Sequence, residues 1–268
     1  MFEEWALYLG FGCLAGLLSG LLGIGGGVVI VPFLVWYFTR LDFPPDAVMI
    51  MAVATSLATI VVTSVSAASA HHRRGAVDWP VVTRLAPGIL AGSILGSMIA
   101  DQLPTRWFKG VFAVFLLIIA LCMVAGRTVE PAAGSVPNAR GYTMAGAVIG
   151  VLSSILGIGG GALSVPFLAR RGLPLRRAVA ISSACGFPIA LAGTITYVIL
   201  GGSRTGLPPW SLGYVYLPAL AGIMLTSVPF APLGAHLAHR WPVRWLRRVL
   251  AFIIALGGAK LLWQALSL

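Results

Sequence analysis

Leu22-Gly23-Ile24-Gly25-Gly26-Gly27, with Val31-Pro32-Phe33-Leu34 just beyond it, returns at a fixed offset as Leu156-Gly157-Ile158-Gly159-Gly160-Gly161 with Val165-Pro166-Phe167-Leu168. Each copy sits inside a long run free of Asp, Glu, Lys and Arg, Trp5–Thr39 in one case and Gly141–Ala169 in the other. A glycine costs a helix interior about 1 kcal/mol, so three in succession should stop the helix. Each run is therefore expected to be a glycine-broken hairpin rather than one straight span. The Val28–Tyr37 arm is about ten residues, roughly 15 Å of helix, which is half the hydrocarbon core.

The repeat extends outward from these glycines. Pro104-Thr105-Arg106-Trp107 parallels Pro242-Val243-Arg244-Trp245, and Thr55-Ser56 overlays Ser182-Ser183. The chain reads as a first membrane repeat over 1–126, a linker over 127–138 and a second repeat over 139–268. Pro131, Gly134 and Pro137 suit the linker.

Composition sets the solvent. Of 268 residues, 59% are hydrophobic and 9% charged, where a soluble domain carries about 25% charge. Disordered chains show the opposite balance. The expected class is an all-α integral membrane protein. The net charge of +11 does not point to nucleic acid, because the basic residues stand in short gaps between apolar runs, as topology requires. Cys13, Cys122 and Cys185 lie within apolar runs without a CxxC pair, which argues against both a disulfide framework and a zinc site. The N-terminal run begins Met1-Phe2-Glu3-Glu4-Trp5 and has no A-x-A cleavage pattern, so no secretory signal peptide is expected.

Charge also decides between parallel and inverted copies. With four crossings per copy, the basic residues divide eleven against six; with an odd number they divide thirteen against four, leaving Arg40, Arg106, Lys109 and Arg204 on the poor side. Lys260, near the end of the last helix, can snorkel and is left out of both counts. The loops also trade character between copies: Thr39–Asp46 holds one Arg and Arg170–Arg177 four. Opposite orientation requires such a trade. The expectation is two tandem inverted repeats, each a glycine-broken hairpin plus three transmembrane helices. The basic side faces the cytoplasm of an inner-membrane protein, with both termini outside.

A glycine break deep in a bilayer frees backbone N–H groups at the start of the next half-helix, and with the helix dipole these bind an anion without a charged side chain. Gly25, Gly26, Gly27, Gly159, Gly160 and Gly161 are the candidate backbone ligands. Close helix packing is the competing reading. A nucleotide loop is not, since the G-x-G-x-x-G spacing and the P-loop Lys are missing. Thr55, Ser56, Ser182 and Ser183 are the candidate side-chain ligands, against the alternative that they bond their own helix backbone. Thr194 and Thr196 are weaker candidates. Asp42, Asp46, Asp78, Asp101 and Glu130 fall in loops or at span ends, so no proton-coupling acid lies at depth. Neither HExxH, GxSxG nor a paired carboxylate is present, which argues against an enzyme, a metal centre or a cofactor.

The doubled glycine motif with its Val-Pro-Phe-Leu, together with Ala54-Thr55-Ser56-Leu57, resembles the TauE/SafE (TSUP) family of sulfite exporters over both copies. That resemblance implies a secondary transporter moving sulfite or a related organosulfur anion outward, with the lipid bilayer as its other partner. The family's small-hydroxyl pair is matched at Thr55-Ser56. At Ser182-Ser183 the family pattern more often reads Gly-Thr-Ser. The competing functions are a permease for another small solute and a non-transporting membrane scaffold. The scaffold has no need of midplane backbone donors.

The odd crossing count has a direct test. A reporter fused after Leu268 should be active on the periplasmic side, while the Arg170–Arg177 loop should label only from the cytoplasm. A cytoplasmic C-terminus would overturn both the count and the hairpins.

Overall fold

A computed structural model describes residues 2–22, 26–124, 139–237 and 243–266. The 127–138 linker expected from sequence lies outside them, as do Gly23–Gly25. The described chain is helical apart from one small hairpin. Its helices are α1 (Phe2–Leu22), α2 (Gly27–Arg40), α3 (Val48–Arg73), α4 (Trp79–Gln102) and α5 (Thr105–Val124), then α6 (Ala139–Leu156), α7 (Gly161–Arg170), α8 (Leu175–Gly202), α9 (Leu217–Leu237) and α10 (Val243–Leu266). Among the described residues, five helices are long and apolar enough to cross a membrane: α3, α4, α5, α6 and α8 from Arg176 onward.

Helix ends fall where the glycines stand. α1 stops at Leu22 and α2 resumes at Gly27; α6 stops at Leu156 and α7 resumes at Gly161. α7 has ten residues, but α2 has fourteen, more than the ten-residue arm expected. Pro32 lies inside α2 without ending it, and the Thr39 hydroxyl donates to the Val35 carbonyl (2.7 Å) in its last turn.

The arms of each break fold back on each other. Tyr8 of α1 meets Tyr37 of α2 edge-on at 5.2 Å, and Phe11 stacks on Phe33 at 3.5 Å. In the second half, Tyr142 of α6 meets Phe167 of α7 at 6.5 Å. Two sets of contacts tie the helix ends together. At one end the Thr105 hydroxyl donates to the Asp46 carbonyl (3.3 Å) and Arg204 pairs with the Asp46 carboxylate, which joins the α2–α3, α4–α5 and α8–α9 connections. At the other, the Thr143 hydroxyl donates to the Arg84 carbonyl (3.1 Å), joining the starts of α4 and α6.

Small residues set how closely the helices approach. Gly88, Gly92 and Gly96 recur every fourth residue on α4, and a Cβ on each would strike the carbonyl oxygen of Thr143, Ala147 or Val151 of α6. Gly146 and Gly150 of α6 reciprocate against the carbonyls of Leu85 and Ile89. α1 and α9 repeat the device: Gly12 lies against the Ile223 carbonyl and Gly16 against that of Ser227. Lipid tails are as apolar as leucine side chains, so such packing must come from shape rather than from the hydrophobic effect. Outward-facing Leu121, Ile199, Leu225 and Met144, each more than 60% exposed, belong to the lipid-facing surface.

An all-helical chain was expected, and one element departs from it. β1 (Ser211–Leu212) pairs antiparallel with β2 (Val215–Tyr216) between α8 and α9. Pro208-Pro209 cannot extend a helix, and Gly213 with φ 56° opens a two-residue turn. The hairpin packs on α8, with Gly213 against the Val198 carbonyl.

Gly92→Leu should force α4 and α6 apart and cost about 1–3 kcal/mol, read as a lower unfolding midpoint in detergent. Gly110→Leu on α5, where a Cβ would meet nothing within 4 Å, should leave the midpoint unchanged. Equal effects would remove the close-approach account.

Candidate functional site

α3 and α8 are the longest helices, with 26 and 28 residues, and they pack against each other. The second glycine turn is seated against both. The Ser56 hydroxyl of α3 donates to the Gly157 carbonyl at 2.8 Å, and a Cβ at Gly157 would lie 3.1 Å from the Val53 Cα. The Gly159 carbonyl faces Gly186 of α8, close enough that a Cβ there would stand 3.1 Å away. Gly27, the first residue of α2, abuts the Gly157 carbonyl, so the start of the first half-helix touches the turn of the second copy. Gly25 lies outside the described residues.

The two copies differ at the residue that caps the half-helix. Gly26 has φ −64°, which any residue adopts, whereas Gly160 has φ 76° and ψ −15°, in the left-handed region. The Gly160 carbonyl accepts the Leu163 and Ser164 N–H groups, the latter at 2.7 Å. Gly161 is buried at the N-terminus of α7, and no side chain caps that end.

An isoleucine and two hydroxyls border the left-handed residue. A Cβ at Gly160 would lie 2.5 Å from the Ile189 Cδ1, 3.3 Å from the Ser164 Oγ and 3.8 Å from the Ser153 Oγ. Both serines are fully buried and neither hydroxyl has a hydrogen-bond partner among the described residues. A buried polar group left unpaired costs about 1–3 kcal/mol. Helical hydroxyls ordinarily avoid this by bonding back to their own turn, as those of Thr59, Thr196 and Ser183 do. Ser153, on α6, and Ser164, on α7, do not. They are the residues that sequence reasoning passed over. The available signal was positional: Ser19 and Ser153 each stand four residues before the first glycine of their motif.

The four hydroxyl residues singled out from sequence are buried or half-buried but occupied differently. Ser56 bonds Gly157 across the bundle, Ser183 bonds the Val179 carbonyl in its own helix (2.9 Å), and Ser182 is buried with its hydroxyl unpaired. The Thr55 oxygen accepts the Tyr216 N–H at 3.0 Å. The α8–α9 hairpin therefore reaches into the bundle and covers Thr55. The Tyr216 ring meets Phe38 and Phe43 edge-on at 5.5 and 5.1 Å.

A polar chain holds that hairpin down. Arg204 pairs with Asp46 and donates to the Tyr214 hydroxyl (3.2 Å), which donates to the Asp101 carboxylate (2.7 Å). Burial, then the bond to Asp101, raises the Tyr214 phenol above its ordinary pKa, keeping it a neutral donor. Asp46 and Asp101 are acidic residues that sequence placed only in loops or at span ends. The second glycine turn is thus bordered by the Ser153 and Ser164 hydroxyls and by the N-terminus of α7, groups whose polarity suits negative rather than positive charge.

Comparison with known proteins places the chain among membrane transporters. A probable membrane transporter protein of Haemophilus influenzae is 36% identical over 95% of this chain and 96% of its own length. Probable membrane transporter proteins of Methanocaldococcus jannaschii and Bacillus subtilis are each 26% identical, over 92% and 95% of this chain and 91% and 96% of their own lengths. No solved structure matches. The family model described as sulfite exporter TauE/SafE matches residues 8–261. The chain belongs to the TauE/SafE sulfite exporter family.

Proposed function

We propose that this protein is a secondary transporter that exports a small anion, sulfite or a related organosulfur anion, through a site at the second glycine turn. The observation that carries the reading is the pair of buried, unpaired hydroxyls of Ser153 and Ser164 beside Gly160 at the N-terminus of α7. Hydroxyls and a helix N-terminus stabilise negative charge without a fixed cation. A cationic side chain at depth would bind an anion strongly and release it slowly. Gly159–Gly161 complete the donor set, while Ser56 holds the turn in place through Gly157. Thr55 acts as an anchor for the covering hairpin rather than as a ligand.

The inverted arrangement is part of the proposal. Its support is the pairing of Tyr8 with Tyr37 and of Tyr142 with Phe167, with the first pair next to the Asp46 end and the second next to the Arg84 end. Contacts of α1 with α9 and of α6 with α4 stand in equivalent places in the two halves, as a two-fold axis in the membrane plane predicts. The basic-rich end then faces the cytoplasm. Two half-helices enter from opposite sides, and movement of one repeat against the other exposes the site alternately.

Transport is tested by flux into everted vesicles. The protein should drive uptake of sulfite or a short sulfonate and leave a neutral sugar outside. Uptake of the sugar without any sulfur anion would refute the substrate class.

Ser153→Ala with Ser164→Ala should lower apparent affinity roughly ten-fold or more, since a hydrogen bond to a charged ligand is worth about 1.5–3 kcal/mol. Thermal stability should hold or rise, because the exchange removes unpaired buried groups rather than bonds. Thr55→Val has the opposite signature: it strips the acceptor from the Tyr216 N–H and should lower stability by about 1–3 kcal/mol. Transport unchanged in the double serine variant would sink this site.

Backbone angle separates the two turns. Gly160→Ala should be severe, at φ 76° and with its Cβ 2.5 Å from the Ile189 Cδ1, and should stay severe when Ile189→Val makes room, whereas Gly26→Ala, at φ −64° with its nearest neighbour the Ile30 Cδ1 at 3.1 Å, should be mild. Vesicle flux, checked against detergent monodispersity, reads the difference. Equal severity would show that the left-handed turn is not what the site requires.

A further inference from the structure

A groove of about 410 Å³ opens between α2 and α10, away from the glycine turns. Pro32 and Gly257 line it where the two helices meet: a Cβ at Gly257 would stand 3.7 Å from the Pro32 Cβ, an ordinary contact distance. Val35 and Leu261 line it with apolar surface, and both are buried. Trp36, 42% exposed, flanks the opening. Thr39 and Gln264 add polar groups, and Arg40 and Lys260 bring one cation from each helix.

The charges are what the fold leaves unexplained. Arg40 ends α2 and Lys260 sits six residues before the end of α10, both exposed. Neither makes an ion pair among the described residues, where the recorded pair is Arg204 with Asp46. Two like charges on the lining of one cleft favour an anion between them. About 9 Å of helix separates Lys260 from the end of α10, so its ammonium reaches back along apolar surface to the interfacial layer. Tryptophan is enriched at that same level. An occupant must then carry negative charge at the mouth and hydrocarbon along the floor. A second copy of this chain does not fit, because a two-fold contact on this face would bring four cations together.

We infer that the α2–α10 groove binds the phosphate of an anionic phospholipid, with Arg40 and Lys260 on the headgroup and an acyl chain along Val35, Gly257 and Leu261. The lipid then bears on α2, the half-helix whose first residue abuts the Gly157 carbonyl. The inference is independent of which solute is transported.

The test uses the full chain, purified and stripped of lipid in detergent, then titrated separately with dioleoyl-phosphatidylglycerol, dioleoyl-phosphatidylcholine and glycerol 3-phosphate. Native mass spectrometry reads bound lipid, and the thermal midpoint gives a second measure. Phosphatidylglycerol should be retained in preference to phosphatidylcholine and should raise the midpoint. Arg40→Gln with Lys260→Gln should weaken its retention about ten-fold or more, the loss of two charge-assisted bonds. Lys260→Arg should keep it, and Arg106→Gln, an exposed cation at the same end of the bundle, should leave it unaltered. Equal retention of phosphatidylcholine, or a double variant that still selects phosphatidylglycerol, overturns the proposal. A midpoint rise with glycerol 3-phosphate as large as with the lipid also overturns it, since the site would then be one for a free anion.

Discussion

Every backbone break at membrane depth must have its polar groups answered by protein, because lipid answers none of them. In this chain the Ser56 hydroxyl answers the Gly157 carbonyl of the second turn from across the bundle. The rest of the architecture follows from burying that bond. α3 and α8, the longest helices, are placed on the turn, and Gly27 and Gly186 let backbone approach it where a methyl group would not fit. The helices around them approach closely for a related reason. Gly88, Gly92 and Gly96 on α4 face Gly146 and Gly150 on α6, and Gly12 and Gly16 on α1 face α9, so that carbonyl oxygens touch bare Cα atoms. A site without charged side chains is possible only inside such a frame.

The two halves share a motif and diverge in its use. Gly160 is left-handed and Gly26 is not. Ser56 bonds across the bundle, while Ser183 in the equivalent place bonds its own helix. One connection grows into the Ser211–Tyr216 hairpin, which covers Thr55 of the opposite copy and is held by Asp46, Arg204, Tyr214 and Asp101. The glycine motif is repeated, and the local departures place two unpaired hydroxyls, those of Ser153 and Ser164, beside the second turn.

Much of this was legible from residues alone, and the reason is physical. Helix interruption at the glycines is a local backbone property. The membrane class depends on composition, and the repeat on a direct match of residues, so none of these needed a contact map. What the sequence could not rank was the hydroxyls. Thr55, Ser56, Ser182 and Ser183 look alike as residue types, yet one accepts from a hairpin, one bonds a distant carbonyl, one bonds its own helix and one is left unpaired. Ser153 and Ser164 went unnoticed because their missing partners, which Ser93, Ser97 and Ser227 share, and their nearness to Gly160 are both set by the whole fold. The hairpin was hidden too, since two strands of two residues leave no period to read.

By itself, then, the sequence determined a helical membrane protein of two similar halves, each broken at Gly23–Gly27 or Gly157–Gly161. Those features depend on solvent and on the cost of glycine in a helix, which every residue carries with it. Tertiary structure alone decided that the second turn is seated against α3 and α8, that Gly160 is left-handed, and that Ser153 and Ser164 crowd it without partners. It also brought Arg40 and Lys260, far apart in the chain, to one groove. The reason is that hydrogen-bond satisfaction and like-charge crowding are properties of pairs of groups. Pairs exist only once the helices have packed.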